Sequence, residues 1–380
     1  MRLVQLQYLP EHHRLARDIF SARDAAPLLR AGVTITERFV DHLGRAGIQA
    51  VWVEDELSHG IDPVPVLSAQ TRALATRVLA ALHRKAREAV AHGRVLDPES
   101  TDDLSDVVDA ILKEIEEHGE TPVVLADLCG AGVYDLQHSI DVCALGLLIG
   151  RTLIAEHGWL DYKGERHDDR HEERLFRLGM GLVLHDIGKF AIPEAILRRP
   201  GRLTEAELEL VNTHPKAGAK LVRDTGVWDP LVQASILRHH ERWDGSGYPD
   251  GKAGTEIHEM ARIAAVADVF DAITSERVFA SARPAHVGVQ TVLAGAGTQF
   301  DPVICDVFAR RVMPFPPGVE VALADGRRAI VVSVPQYELD RPVLRIISGA
   351  GAPFDVSLQQ DSNIQIAGWN PPPAAPARAA

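Results

Sequence analysis

The stretch His185-Asp186-Ile187-Gly188-Lys189 decides how this chain of 380 residues is interpreted, together with His239-His240-Glu241-Arg242-Trp243-Asp244-Gly245-Ser246-Gly247-Tyr248-Pro249. The first stretch joins an adjacent His and Asp to a Lys, and the second joins two adjacent His residues to a glycine-rich turn. Imidazole and carboxylate groups together are ligands for Fe, Mn or Zn. A metal site of this composition indicates chemistry on a phosphate or on an activated water molecule.

The spacing within the first stretch suits a site for two metals. Adjacent residues of a helix point about 100° apart, so His185 could hold one metal while Asp186 bridges to a second. Lys189 follows three residues after Asp186, which predicts that it shares their helix face and reaches a metal-bound anion. A lone His-Asp pair would be weak evidence, because a structural His beside a surface Asp is common.

Composition and charge limit the classes of protein to consider. The net charge of −13 argues against a general duplex-DNA binder but leaves room for a small anionic substrate. The three cysteines, Cys129, Cys143 and Cys305, are widely spaced and predict buried thiols in a reducing compartment. The N-terminus lacks the apolar segment of a signal peptide, and no run of about 18 apolar residues predicts a membrane span. We therefore expect a cytoplasmic protein.

The N-terminal third predicts a small α/β unit followed by helices. A strand over 3–9, a helix over 37–46 and a strand over 50–53 form the α/β unit. Apolar residues at helical spacing predict two further helices, over 68–92 and 104–115. Their apolar faces either pack on the main core or form a dimer contact.

The rest of the chain predicts a long helical region and then a β module. From 126 to 309 the pattern is helical, which argues against a doubly wound sheet. A hairpin around Asp325-Gly326 begins the β module. The strands predicted for this module span 319–323, 329–334, 343–347 and 364–366.

These patterns predict a multi-domain protein whose main domain is an all-α helical bundle. The predicted parts are a small α/β regulatory domain over 1–65, a helical connector over 66–125, the main domain over 126–313, a small β module over 314–370 and a disordered tail over 371–380.

Four further histidines are potential ligands, although each alone has a structural interpretation. His138 lies in an apolar helical stretch, where a lone His is more often structural. His214 precedes Pro215 at an expected helix end, where a capping role is the alternative. His239 and His240 could lie on a solvated helix face.

Two acids and one polar segment complete the set of candidates. Asp268 lies in the apolar run 263–270, where burial of an unpaired carboxylate would be costly. Asp271 could be a helix cap or a salt-bridge partner. The segment 157–173 is also rich in His and Asp, and we interpret it as a solvated surface loop.

Residues 134–308 resemble the HD-GYP domain, a branch of the HD phosphohydrolases that cleave cyclic di-GMP. The matching elements, in order, are His138; His185, Asp186, Gly188 and Lys189; Ile192-Pro193; His214-Pro215-Lys216-Ala217-Gly218; His239, His240, Glu241 and Gly247-Tyr248-Pro249; Asp268, Asp271, Ala272 and Arg277; and Phe300-Asp301-Pro302. A less specific pattern, Leu15-Ala16-Arg17-Asp18-Ile19, resembles a small domain often found ahead of HD-GYP domains and implies regulation or assembly.

The resemblance implies an HD-type helical bundle that holds two divalent metal ions, Fe or Mn, in its interior. A bridging hydroxide would be the nucleophile, and Lys189 would bind the scissile phosphate. One metal would be held by His138, His185, Asp186 and Asp268, and the second by His214, His239, His240 and the bridging Asp186. The nucleotide pocket would be shaped by Lys189, Arg242, Gly247, Tyr248, Pro249 and Arg277.

The chain departs from the family pattern at Tyr134. Members with three metals are expected to carry a Glu four residues before the opening His, and Tyr134 occupies that position here. A phenol ionises reluctantly at neutral pH, with a pKa of about 10, so it is a poor ligand. We therefore expect two metals, and a reaction that stops at linear pGpG rather than GMP.

The leading hypothesis is a metal-dependent phosphodiesterase for cyclic di-GMP. A second hypothesis is a catalytically silent cyclic-dinucleotide receptor or protein-interaction scaffold on the same fold. A third is a phosphodiesterase for another cyclic dinucleotide, such as cyclic GMP-AMP. A homodimer or a signalling-protein partner could bind through the GYP loop or the N-terminal region.

Overall fold

The computed structural model describes residues 1–369 except 10–11, 21–26, 46–47, 49, 120, 123–133, 162, 200, 224, 226–228, 276–281 and 349–352. The predicted tail, Cys129 and Arg277 therefore lie outside the described residues, as does the side chain of Tyr134.

The N-terminal residues form a small unit of short strands and one helix. Its elements are β1 (Arg2–Gln5), β2 (Arg14–Leu15), β3 (Ile19–Phe20), β4 (Pro27–Leu29), α1 (Glu37–Arg45) and β5 (Ala50–Glu54). Strand β5 lies between β1 and β2 in an antiparallel sheet, and β3 pairs with β4. A 3-10 turn over Leu6–Tyr8 ends β1 earlier than the sequence predicts. Leu15, Leu43 and Val53 fill the apolar core of this unit.

Two long helices follow, α2 (Ala69–Ala91) and α3 (Leu104–His118). Ser68 caps α2, because its side chain accepts a hydrogen bond from the backbone N–H of Thr71. The apolar faces of both helices are buried in the same core as the helices that follow. Of the two alternatives for these faces, the structure therefore shows packing on the main core.

The central region is a bundle of helices. Its members are α4 (Tyr134–His157), α5 (His171–Leu184), α6 (Glu194–Leu197), α7 (Glu205–Val211), α8 (His214–Leu221), α9 (Pro230–Arg238), α10 (Glu259–Thr274), α11 (Ala285–Ala294) and α12 (Pro302–Arg311). Helix α4 packs against α5 closely, since a Cβ on Gly146 would lie 2.5 Å from Leu182 and one on Gly150 2.4 Å from Leu178. Helix α4 is long and apolar enough to cross a membrane, but 89% of its apolar window is buried within the protein.

The segment between α4 and α5 is solvated over much of its length, as predicted, but it forms a hairpin rather than a loop. Strands β6 (Trp159–Leu160) and β7 (Arg166–His167) pair antiparallel. Trp159 is buried, and the His167 ring stacks on its indole with 4.5 Å between centroids. The guanidinium of Arg174 lies 3.6 Å from the indole centroid, so the hairpin is anchored to α5 by a cation–π contact.

The residues after α5 differ from the predicted α-helix. Helix α5 ends at Leu184, and a 3-10 helix over Ile187–Ala191 carries Lys189. The prediction that His185, Asp186 and Lys189 share one α-helical face is therefore wrong in its geometry. The 3-10 spacing nevertheless brings Lys189 to Asp186, because side chains three residues apart eclipse one another in such a helix.

The C-terminal residues form one antiparallel sheet of five strands. The strands are β8 (Glu320–Leu323), β9 (Arg328–Ser333), β10 (Val343–Ile346), β11 (Phe354–Ser357) and β12 (Ile366–Trp369), in the order β11-β10-β9-β8-β12. The predicted hairpin is present, with Gly326 at a φ of +85° in its turn. The strand predicted over 364–366 begins two residues later, and β11 was not predicted.

The N-terminal and C-terminal regions touch each other. The backbone N–H of Leu3 donates to the carbonyl of Gly318 at 3.0 Å. Arg345 of β10 donates to the carbonyls of Leu57 and His59 at 3.1 and 2.7 Å. The two regions that flank the helical bundle are thus joined by backbone and side-chain hydrogen bonds.

Candidate metal centre

His and Asp side chains from five segments meet in the interior of the helical bundle. His138 lies on α4, His214 begins α8, and Asp268 lies on α10, while the remaining members follow the ends of α5 and α9. The set comprises His138, His185, Asp186, His214, His239, His240 and Asp268. Four of the imidazoles, those of His138, His185, His214 and His239, are at most 2% exposed. The solvated-face interpretation of His239 is therefore wrong.

One carboxylate oxygen of Asp186, Oδ2, faces a first group of potential ligand atoms. It lies 3.5 Å from Nε2 of His138 and 3.4 Å from Nε2 of His185. These two Nε2 atoms are 3.3 Å apart, and Oδ1 of Asp268 lies 3.2 Å from Nε2 of His138. Ions bound to N and O atoms at about 2.1 Å separate neighbouring ligand atoms by about 3.0 to 3.4 Å. The first group therefore has the spacing of a metal-binding set.

The other oxygen, Oδ1, faces a second group. It lies 3.3 Å from Nε2 of His214 and 3.9 Å from Nε2 of His239, and these nitrogens are 3.3 Å apart. His240 completes a group whose potential ligand atoms all lie within 4.8 Å of one another. Nδ1 of His240 also lies 3.8 Å from Oδ2 of Asp268, so His240 stands between the two groups.

Hydrogen bonds at Nδ1 orient the four most buried imidazoles. Nδ1 of His138 lies 2.6 Å from Oδ2 of Asp271. Nδ1 of His185 lies 2.7 Å from the carbonyl oxygen of Leu182. Nδ1 of His214 lies 2.8 Å from the carbonyl oxygen of Val211, and Nδ1 of His239 lies 2.9 Å from that of Ser235. Because these oxygens only accept hydrogen bonds, the proton sits on Nδ1 and the Nε2 lone pair points into the cluster.

The protonation states also suit metal binding. Burial, followed by the neighbouring His240, lowers the pKa of His239 well below its usual value, and burial lowers that of His240 to about 4. Burial alone would raise the pKa of Asp186, but the Lys189 ammonium and the imidazoles hold it well below its usual value. Burial alone would also raise the pKa of Asp268, but the neighbouring imidazoles, His138 first, hold it well below its usual value. Neutral imidazoles and ionised carboxylates are the forms that bind metals.

Asp186 provides a test of whether a metal fits this cluster. Its Oδ1 atom is buried and accepts no hydrogen bond from the described residues. The nearest imidazoles turn lone pairs rather than N–H groups toward it, which leaves the oxygen without a donor. Such burial is costly, and a cation between Oδ1 and the imidazoles would satisfy both sides. The residues therefore fit divalent metal ions, and Asp186 is shared between two groups of potential ligands.

Lys189 lies at the open edge of the cluster. Its ammonium donates a hydrogen bond to Oδ2 of Asp186, and its side chain is 33% exposed. The neighbouring Gly188 lies directly on the backbone of α8, because a Cβ there would be 2.0 Å from the carbonyl oxygen of His214 and 2.3 Å from the amide nitrogen of Gly218. The lysine is thus placed where its ammonium can meet an anion that enters the site.

The glycine-rich loop after His240 is held by internal contacts. The buried carboxylate of Glu241 accepts hydrogen bonds from the backbone N–H groups of Asp250 and Lys252, at 2.7 and 3.1 Å. Gly247 allows the loop to fold back, since a Cβ there would lie 2.4 Å from the amide nitrogen of Arg242. The loop therefore has one defined shape beside the cluster.

The residues predicted to bind substrate are placed differently from one another. Tyr248 lies beside the cluster, with its ring centroid 4.8 Å from that of His240, and Pro249 follows through a cis peptide bond. Arg242 faces Asp244 within the same loop, with 3.8 Å between Nε and Oδ1. Arg277 lies outside the described residues. Tyr248 thus lies next to the candidate metal ligands.

Sequence reasoning missed the role of Asp271, which it interpreted as a cap or a salt-bridge acid. The carboxylate holds His138 through Oδ2 and accepts a hydrogen bond from the Ser275 hydroxyl at Oδ1, 2.8 Å away. Its position three residues after Asp268 placed both acids on one helix face, and this was the available signal.

A second cluster of His and carboxylate side chains lies on the β6–β7 hairpin. Potential ligand atoms of Asp161, Glu165 and His167 lie within 4.8 Å of one another. Asp161 accepts hydrogen bonds from the backbone N–H groups of Lys163 and Glu165, at 2.8 and 2.9 Å, and its Oδ2 lies 3.2 Å from Nε2 of His167. The hydrogen bonds of the turn account for this arrangement.

Comparisons with known proteins place the central region in a family. A family model described as an HD domain matches residues 144–304. A cyclic di-GMP phosphodiesterase of Pseudomonas aeruginosa is 34% identical over 267 residues, which cover 70% of this chain and 60% of that protein. The cyclic di-GMP phosphodiesterase response regulator RpfG of Xanthomonas campestris is 43% identical over 142 residues, 37% of each chain. The 3'3'-cGAMP-specific phosphodiesterase 3 of Vibrio cholerae is 38% identical over 120 residues, 32% of this chain and 26% of that protein. The chain spans less than two thirds of the length of each relative.

The matched segment contains the candidate ligands from His185 to Asp268, and α4 adds His138 from just before it. The ordered motifs, the clustered ligands and the relatives agree. Residues 144–304 therefore match the HD-domain family, and the ordered motifs of the central region are similar to those of its HD-GYP branch.

Proposed function

We propose that this chain is a metal-dependent phosphodiesterase that hydrolyses cyclic di-GMP to linear pGpG. The observation that carries the proposal is Asp186, whose two oxygens face separate groups of buried imidazoles while Lys189 reaches the same carboxylate. Relatives named cyclic di-GMP phosphodiesterases support the choice of substrate.

We assign two divalent ions to the cluster, with Fe or Mn suited to its ligand types. The first would be held by His138, His185, Asp186 and Asp268, and the second by His214, His239, His240 and Asp186. When bound, such ions would supply hydroxide at neutral pH and polarise the phosphate.

Lys189 is assigned to the scissile phosphate. Its ammonium is partly exposed and donates to Asp186 from the open edge of the cluster. An entering phosphate oxygen would accept that hydrogen bond instead, and the fixed positive charge would stabilise the negative charge that grows in the transition state. Asp186, relieved of the lysine, would then be shared by the two metals.

The nucleotide pocket is assigned to the loop beside His240. The Tyr248 ring offers an aromatic surface on which a guanine base can stack, and Gly247 and Pro249 fix the course of the chain around it. Arg242 and Arg277 stay candidates for contacts to the second phosphate or to a base.

The product follows from the number of metals. Tyr134 begins α4, one turn before His138, where a Glu would support a third metal. With Tyr134 in that position we expect two metals per chain and pGpG as the main product. Tyr134→Glu should raise the metal content toward three and the yield of GMP, as measured by elemental analysis and chromatography. Three metals in the wild-type protein, or GMP without accumulation of pGpG, would contradict this assignment.

The direct test is turnover by the purified chain loaded with Mn or Fe. Cyclic di-GMP and 3'3'-cGAMP are supplied separately, and products are followed by chromatography. We expect cyclic di-GMP to be converted to pGpG. Tight binding of cyclic di-GMP by metal-loaded protein without turnover would instead support the silent receptor, and faster hydrolysis of 3'3'-cGAMP would assign a different substrate.

The setting of this activity is part of the proposal. We assign it to the cytoplasm, as the three widely spaced cysteines favour a reducing compartment. The N-terminal region over 1–65 is assigned to regulation or assembly, because it lies outside the segment that carries the candidate ligands. A homodimer or a signalling partner is assigned to the GYP loop or to this N-terminal region.

A further inference from the structure

The 3-10 helix that carries Lys189 is held on both sides of the lysine. The residue before it, Gly188, lies on the backbone of α8. The residue after it, Phe190, lies against α2, a helix outside the segment that matches the HD family model. The lysine is therefore fixed by α8 from one side and by α2 from the other.

Two residues of α2, His83 and Arg87, contact the Phe190 ring. The His83 ring meets it edge to face, with 4.7 Å between centroids and an angle of 63° between planes. The guanidinium carbon of Arg87 lies 5.2 Å from the Phe190 centroid. Both geometries are attractive, the first as an aromatic pair and the second as a cation–π contact. Because His83 and Arg87 are one helical turn apart, they act on the ring as a pair.

The chemistry of His83 suits a packing role. Burial, followed by the positive charge of Arg87, lowers the pKa of His83 to about 4, so the ring is neutral at neutral pH. A neutral ring does not compete with Lys189 for the Asp186 carboxylate.

Helix α2 itself is firmly docked on the bundle. Arg72, near its start, forms an ion pair with the buried Asp141 at 2.9 Å. Asp141 lies on α4, three residues after the candidate ligand His138. One helix thus contacts both the element that presents a metal ligand and the element that presents the lysine.

We propose that His83 and Arg87 are positioning residues that fix Lys189 through Phe190, so that the ammonium meets the scissile phosphate. This inference rests on the proposed function of Lys189. Misplacement of a catalytic group by about 1 Å can lower the rate a hundredfold. The contacts of His83 and Arg87 with Phe190, the residue after Lys189, are therefore sufficient to control turnover.

The test compares variants of the full, Mn-loaded chain. His83→Ala and Arg87→Ala should lower kcat about ten- to a hundredfold, with unchanged KM and metal content, since the metal ligands do not depend on Phe190. His83→Phe keeps an aromatic ring against Phe190 and should restore most of the turnover. Arg84→Ala, an exposed neighbour on the same helix, is the matched control and should behave as the wild type.

A second measurement does not depend on activity. The rate at which Lys189 reacts with an acylating reagent, followed by mass spectrometry, should rise several-fold in His83→Ala and Arg87→Ala but not in His83→Phe or Arg84→Ala. If His83→Ala fails to fold, Phe190→Leu replaces it, because that change keeps apolar bulk and removes the ring.

The outcomes separate the two proposals. Wild-type kcat and lysine reactivity in His83→Ala and Arg87→Ala would overturn the positioning role. A His83→Phe variant as defective as His83→Ala would also overturn it, because the imidazole itself would then be required. A wild-type chain that hydrolyses no cyclic dinucleotide would refute the proposed function, and the lysine reactivity would then decide the positioning role by itself.

Discussion

The protein contains two clusters of His and carboxylate side chains whose potential ligand atoms are similarly close together, but whose surroundings differ. In the cluster around Asp186, the most buried imidazoles are at most 2% exposed. In the hairpin cluster of Asp161, Glu165 and His167, the side chains of Asp161 and His167 are 24% and 36% exposed. Potential ligand atoms lie within 4.8 Å of one another in the hairpin cluster and in each of the two groups that share Asp186. Distance alone does not distinguish a metal site from a turn.

Hydrogen bonding distinguishes them. The oxygens of Asp161 accept hydrogen bonds from the backbone N–H groups of Lys163 and Glu165, and Oδ2 also contacts His167. The hydrogen bond from Glu165 is the largest of the effects that hold the pKa of Asp161 below its usual value. Oδ1 of Asp186 is buried and has no donor among the described residues. In the hairpin cluster, hydrogen bonds account for the short distances between the side chains. In the cluster around Asp186, the short distances leave a buried carboxylate oxygen that a cation would satisfy.

The largest effect is expected from Asp186→Ala. This change removes the carboxylate whose two oxygens face the two groups of imidazoles, so both metals and all measurable turnover should be lost. Elemental analysis and a hydrolysis assay measure the two effects, and circular dichroism checks that the helices are intact. Wild-type metal content in a folded Asp186→Ala variant would show that the central cluster is not a shared metal site.

Lys189→Ala should separate metal binding from chemistry. The lysine contacts Asp186 but faces the open edge, so the metals should stay while kcat falls about a hundred- to a thousandfold, as for loss of one transition-state donor. Lys189→Arg keeps the charge with a different shape and should give an intermediate rate. A kcat/KM equal to that of the wild type would remove Lys189 from the mechanism.

The meeting of the candidate ligands in one cluster was predictable, because their order and spacing along the chain carry the signal. Ser68 and Thr204 are residue types that favour the start of a helix, and both cap helices in the structure. The 3-10 helix after Asp186 was missed because three-residue and four-residue spacing cannot be separated in so short a segment.

The supporting contacts were not predictable from the chain alone. His138 and Asp271 are 133 residues apart in sequence, and no local pattern links them. The contact between His83 and Phe190 joins the connector to the central bundle in the same way. Strands β6 and β7 have two residues each, too few for alternation to be recognised.

Asp271→Ala tests the contacts behind the ligands and should have a smaller effect than loss of a ligand. Without its carboxylate, the His138 ring loses the acceptor that fixes its tautomer and orientation. Metal affinity should fall about 10- to 100-fold, as measured by competition with a chelator. Asp271→Asn retains an oxygen acceptor and should lose less. Equal affinities in the wild type and Asp271→Ala would show that the backbone and packing orient His138 without the acid.

The smallest effect is expected from Asp161→Ala, the hairpin counterpart of Asp186→Ala. The Asp161 carboxylate accepts hydrogen bonds from backbone N–H groups of a surface turn. Its loss should therefore lower the Tm slightly and leave metal content and kcat unchanged. Elemental analysis of both Ala variants in the same metal-loaded preparation makes the comparison direct. A fall in metal content in Asp161→Ala would show that a carboxylate already satisfied by hydrogen bonds can still bind a cation. The hairpin would then be a metal site, and an unsatisfied buried oxygen would lose its value as the feature that separates the two clusters.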